Sequence, residues 1–119
     1  MTITPNPLTI TLPSGAGNIT GTGTVTVTNT AAAGGAQFTV TNIGVSGGSI
    51  LTYFFNVGAL AGADNCTGQA IAPGASCTVT VRFTNISSAR GTNRTGTITF
   101  TDSAAGNPQT SNLIGFATP

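Results

Sequence analysis

The chain has 119 residues and five charged side chains, Arg82, Arg90 and Arg94 against Asp64 and Asp102, for a net charge of +1. Lys, Glu, His and Trp are absent, while Thr (24), Gly (17) and Ala (15) dominate. This excludes a basic nucleic-acid surface, which needs clustered cations to displace phosphate counterions, and it removes most general bases and metal ligands before any motif is read.

The length fits one domain over 1–119. Leu, Ile, Val and Phe supply 27 of the 119 residues, enough to fold around a thin core. No stretch approaches the ~20 apolar residues of a membrane span. The start, Met1-Thr-Ile-Thr-Pro-Asn-Pro, shows neither a basic leader nor an apolar run, so the expectation is a leader already removed or a native start codon. A surface of Thr, Asn, Ser and Gly repels its own copies weakly, which favours exposed or assembled proteins.

Period-two alternation runs through the chain and helical periodicity does not. Leu8 to Leu12 places Leu8, Ile10 and Leu12 on one face, with Pro5 and Pro7 ahead of it. Proline restricts such a strand to an edge or a strand start, so residues 1–12 read either as the fold's own first strand or as an arm exchanged between copies. Gly21 to Thr30 sets Gly21, Gly23, Val25, Val27 and Asn29 against five threonines, which suit a solvent-facing pleat. Ala31 to Gly35 is a loop, and Gln37 to Thr41 turns Phe38 and Val40 inward. Ser49 to Val57 is apolar nearly throughout, and its β-branched and aromatic content predicts one strand. Tyr53, Phe54 and Phe55 are consecutive there, so at least one aromatic faces away from the core.

Three strands follow: Ser76 to Thr84 with Cys77, Val79, Val81 and Phe83 on one face, Gly96 to Asp102 with Ile98 and Phe100 inward, and Gln109 to Thr118 with Asn112, Ile114 and Phe116 together. Turn signals at Ala72-Pro-Gly-Ala, Ser87 to Asn93 and Asp102 to Pro108 separate them. Seven or eight strands, each apolar on one side, predict an all-β fold: an immunoglobulin-like two-sheet antiparallel β-sandwich with Greek-key connections.

From Thr24 to Thr118 the sequence resembles the bacterial choice-of-anchor D modules and the related abnormal-spindle and hydin type immunoglobulin-like domains. The likeness rests on Val25-Thr-Val-Thr-Asn-Thr, on Ile71-Ala-Pro-Gly-Ala-Ser-Cys-Thr-Val-Thr-Val-Arg-Phe-Thr, and on Gly96-Thr-Ile-Thr-Phe with the closing Asn112-Leu-Ile-Gly. The family commonly has proline after the Phe-Thr pair, where this chain has Asn85. The resemblance implies a repeat, spacer, adhesion or scaffold module without catalytic residues.

Similar modules pair cysteines at places matching Cys66 and Cys77, which implies a disulfide; the alternative is two buried thiols in a reducing cytosol. Two cysteines without His make a poor zinc site. A serine or cysteine nucleophile lacks a base, and Asp64 and Asp102, both expected in turns, are the only carboxylates for a two-aspartate hydrolase. Asp102 to Asn107 offers one carboxylate, too little charge for a calcium loop. The sequons at Asn18, Asn65, Asn85 and Asn93 are expected by chance in so Thr-rich a chain. No cofactor and no catalytic or metal residue is expected. Leu8, Ile10 and Leu12 in the arm, and Tyr53, Phe54 and Phe55, are the candidate interface residues, against the alternative that both sets are core.

Together these readings predict a non-enzymatic structural protein whose partners are other protein subunits, possibly its own copies, and neither nucleic acid nor membrane. The leading expectation is a decoration or cement subunit on a bacteriophage virion surface. The alternative is an immunoglobulin-like module of an exported bacterial surface or adhesion protein. A carbohydrate-binding module lacks the usual Trp platform.

Overall fold

A computed structural model of the chain describes residues 1–15, 19–49, 52–58, 62–86, 90–103 and 108–119. The described strands are β1 (Thr2–Thr4), β2 (Leu8–Leu12), β3 (Ile19–Thr28), β4 (Phe38–Ser46), β5 (Gly48–Ser49), β6 (Tyr53–Asn56), β7 (Ala70–Ile71), β8 (Ser76–Asn85), β9 (Asn93–Asp102) and β10 (Gln109–Ala117). They form two five-stranded sheets, ordered β1-β3-β8-β6-β5 and β2-β10-β9-β4-β7. All neighbours are antiparallel except β2 and β10. The chain is therefore an all-β sandwich, as the alternation predicts, and its inner faces meet in one core that includes Leu12, Val25, Val79, Phe83, Ile98 and Phe100.

Alternation places the threonines as expected. Thr20, Thr22 and Thr24 of β3 are exposed while Val25 and Val27 are fully buried. On the inner face of β3, Ile19 is followed by Gly21 and Gly23, and both glycines lie under β2. A Cβ at Gly21 would sit 2.7 Å from the Leu12 side chain, and one at Gly23 would sit 3.0 Å from Leu8. Large side chains from one sheet thus fill positions left bare on the other.

The same rule overturns the expected facing of the last strand. Ser111, Leu113, Gly115 and Ala117 face the core, whereas Asn112 is exposed and Ile114 and Phe116 are half-exposed. Apolarity favoured the other face; volume decides, because a Cβ at Gly115 would lie 2.4 Å from the Phe83 ring. Ser49 to Val57 is also not one strand. The chain leaves β4 through Gly47 and Gly48, whose φ values of 123° and 73° suit glycine, and crosses to the other sheet. There Gly48 and Ser49 pair with Phe54 and Tyr53 as a hairpin. Strands β1 and β7 and the stretch of β4 beyond Thr41 have no counterpart in the sequence reading, being too short or too polar to stand out.

The body measures 52 × 21 × 20 Å. Its radius of gyration of 15.2 Å exceeds the roughly 13.5 Å of a round domain of this length, so the sandwich is elongated along its strands. Its accessible surface, 5795 Å², is still that of an ordinary folded chain of this mass, roughly 5800 Å².

Gly115→Val should lower stability by about 1–3 kcal/mol through overpacking against Phe83, read as a fall in Tm. Adding Phe83→Leu should recover part of that loss. Equal Tm values for Gly115→Val and the wild type would refute the packing assignment.

Candidate functional site

At the end of the sandwich where β3 finishes and β8 begins, Cys66 and Cys77 form a disulfide with a Cα–Cα distance of 5.1 Å. They are 0% and 4% exposed. The bridge closes a loop that ties the two sheets together. From Cys66, at the edge of one sheet, the chain crosses to the other, where Gly68 N–H donates to Val40 O at 2.7 Å and β7 pairs with Phe38 and Thr39 of β4. It turns at Pro73-Gly74, with Gly74 at φ 80°, and returns into β8.

Two side chains hold this strap. Asn29 is 3% exposed; its amide nitrogen donates to Ile71 O at 2.8 Å and Ala36 O at 3.0 Å, and its Oδ1 accepts from Ala31 N–H. The Asp64 carboxylate accepts the Cys66 and Thr67 N–H groups at 2.8 and 3.1 Å and the Thr67 hydroxyl at 2.5 Å. Burial pushes the Asp64 carboxyl up, but the Thr67 hydroxyl and the two backbone N–H groups outweigh it, and its pKa falls below the ordinary 3.8.

The opposite end is closed by aromatics. Tyr53 and Phe55 point inward against Phe83, with ring centroids 6.2 and 5.1 Å from it. The Tyr53 hydroxyl crosses to the other sheet and donates to Thr95 O at 3.0 Å, while Arg94 lies 5.4 Å from the Tyr53 ring centroid. Phe55 meets the bare face of Gly96. Phe54, cross-strand from Thr84, is the aromatic that faces outward, half-buried.

The chain ends sit at these two opposite poles. Thr2 pairs with Thr28 at the disulfide end. Pro119 is at the aromatic end, where its carbonyl accepts from the Ser14 hydroxyl at 2.8 Å and Thr118 N–H donates to Leu12 O.

Of the expected interface residues, Leu8, Ile10 and Leu12 are core, at 6%, 4% and 0% exposed, because β2 pairs with β10 and covers the glycines of β3. Phe55 is core as well, and Tyr53 is engaged between the sheets; only Phe54 of the six shows an outward ring. Sequence reasoning missed the outward pair Ile114 and Phe116, and assigning Gly115 to Phe83 would have found it.

Asp64 sits beside β8 in one sheet and Asp102 opposite Val40 in the other, so the two carboxylates do not form one site. Asp102 is the buried last residue of β9, not a turn residue, and Gln109 Nε2 donates to it at 3.3 Å. The rest of the weighed calcium loop, at 104–107, lies outside the described residues, as does Asn18. Among the sequons, Asn85 is fully buried and Asn65 accepts from Thr78 N–H. Among the described residues there is no cluster of three or more metal-ligating side chains and no helix long and apolar enough to cross a membrane. An open groove of about 390 Å³ at the disulfide pole, lined by residues that include Met1, Asn29, Gln37, Phe38 and Ser103, carries no titratable side chain. The arrangement can hold chain segments and present faces.

Two measurements check this account. Replacing Cys66 and Cys77 together by Ala should cost about 3 kcal/mol in the chain-entropy view, and denaturant unfolding of the double variant would read it. Since the folded pKa of Asp64 is lowered, its contribution is complete above the unfolded value near 3.8 and is lost as pH falls through the folded value. Asp64→Asn should therefore flatten the acid limb of a Tm-against-pH curve below about pH 4; an unchanged limb would contradict the assignment.

The chain matches no protein-family model and no curated protein. Among solved structures it is similar to the Vibrio cholerae VesB protease, with TM-score 0.61 and 20% identity over 99% of this chain. It spans 31% of that protease chain. A second similarity, to the N-terminal domain of PorA, has TM-score 0.45 and 16% identity, covering 95% of this chain and 89% of that one. The VesB likeness is one of fold: a β-sandwich of this kind stands as a minor part of a larger chain.

Proposed function

We propose that this chain is a non-enzymatic, immunoglobulin-like structural module that sets the distance between its neighbours and works outside the reducing cytosol. The observation that carries this reading is the placement of Met1 and Pro119 at opposite ends of a body 52 Å long. Any chain that precedes or follows leaves in opposite directions, so modules joined this way add length in series. The buried disulfide supports an oxidising location. The two aspartates accept structural hydrogen bonds in different sheets, which supports a role other than catalysis. An exported bacterial surface protein, with modules like the choice-of-anchor D domains that the sequence resembles, fits these features directly.

Decoration of a bacteriophage particle is the second reading. It is favoured by a surface with only five charged side chains in the whole molecule, which lets copies pack closely on a lattice.

Two copies joined through a two-residue linker should give a maximum dimension in small-angle scattering near 104 Å, twice the 52 Å axis. A folded-back pair close to the single-module length would defeat the spacer reading. Fractionation of the native source separates its two settings: recovery with the cell envelope supports the surface protein, and recovery with purified particles supports decoration.

A further inference from the structure

A sandwich has exposed sheet edges, and natural proteins blunt them with short strands, prolines or charges because bare backbone recruits other strands. This molecule treats its edges unequally. Strand β1 has three residues and stops at Pro5, β2 is bracketed by Pro7 and Pro13, and β5 and β7 have two residues each. Strand β4 differs. Among the described residues, the strap covers its outer edge at Phe38, Thr39 and Val40. From Thr41 to Ser46 no described strand pairs with that edge, although the other edge pairs with β9 from Asn42 to Ser46, after a register shift between Val40 and Asn42. These six residues contain no charge and no proline. Ile43 and Val45, opposite Phe100 and Ile98 on the inner face, are half-exposed where the sheet ends.

We propose that Thr41–Ser46 is an interaction surface for a second copy of this chain, whose own β4 adds antiparallel to continue the sheet across a two-fold axis. The sequence of the strand selects that occupant. Inner-face residues must meet inner-face residues, so a register centred on Gly44 sets Ile43 of each copy opposite Val45 of the other, giving two β-branched cross-strand pairs. Both strands are neutral, so nothing electrostatic opposes self-pairing. Six residues make a small interface of the weak, transient class, effective where copies are concentrated by a shared surface or array. The inference goes beyond the spacer reading and does not depend on it: end-to-end length uses the poles, and this pairing uses a flank.

Gly44 allows a direct test. It faces outward opposite Thr99, its φ lies outside the left-handed region, and no heavy atom comes within 4 Å of a Cβ built there. A side chain at this position therefore leaves the fold intact, yet at the two-fold axis it meets its own copy. Sedimentation velocity from about 10 μM to 1 mM should show the wild type associating as concentration rises. Gly44→Asp and Gly44→Lys should each weaken association by about tenfold or more, since like charges then stand face to face. An equimolar mixture of the two variants should regain it. A wild type monomeric across the range overturns the proposal. So does Gly44→Asp that associates as well as the wild type, or a mixture that stays monomeric.

Discussion

The close approach of the two sheets rests on pairing large side chains of one with glycines of the other. Leu8, Ile10 and Leu12 lie on Gly21 and Gly23, Phe55 lies on Gly96, and Phe83 lies on Gly115. Each glycine removes the side-chain volume that would otherwise hold the sheets apart, and the facing residue occupies that space. A chain with few large apolar residues can in this way build a dense core, because half of each contact is backbone. The cost is a core intolerant of added volume at the glycines, where even one carbon meets a ring or a branched chain.

Both poles follow from that geometry. With the sheets so close, one short strap from Cys66 to Cys77 reaches from sheet to sheet and back, and Asn29 and Asp64 satisfy the backbone groups it exposes. At the other pole one phenol spans the gap to Thr95. Cross-sheet ties thus close both ends of the elongated body. Its two aspartates serve the same end, holding loops and strand termini in place.

Outer faces rich in threonine give a wet pleat with little charge. Against it stand out the outward Phe54, Ile114 and Phe116 and, among the described residues, the strand edge of β4 beyond Val40. Single exposed apolar side chains are ordinary on protein surfaces; a six-residue edge that no described strand pairs is less so.

The sequence by itself determined the all-β class, the positions of β2, β3, β8 and β9, and the inward faces of β3, β8 and β9, because alternation of threonine with apolar residues is local information. It also determined that one aromatic among Tyr53, Phe54 and Phe55 must point outward, though not which. Only the tertiary structure decided the facing of β10, where Gly115 and Ala117 take the core side against the pull of Ile114 and Phe116. Only it placed Leu8, Ile10 and Leu12 in the core, brought the second sheet to Ala70-Ile71, and left β4 beyond Val40 without a described strand on its outer edge. Those outcomes depend on which residue stands across the gap and which strand lies alongside. Volume matching between distant segments and pairing at sheet edges leave no periodic trace in any single segment.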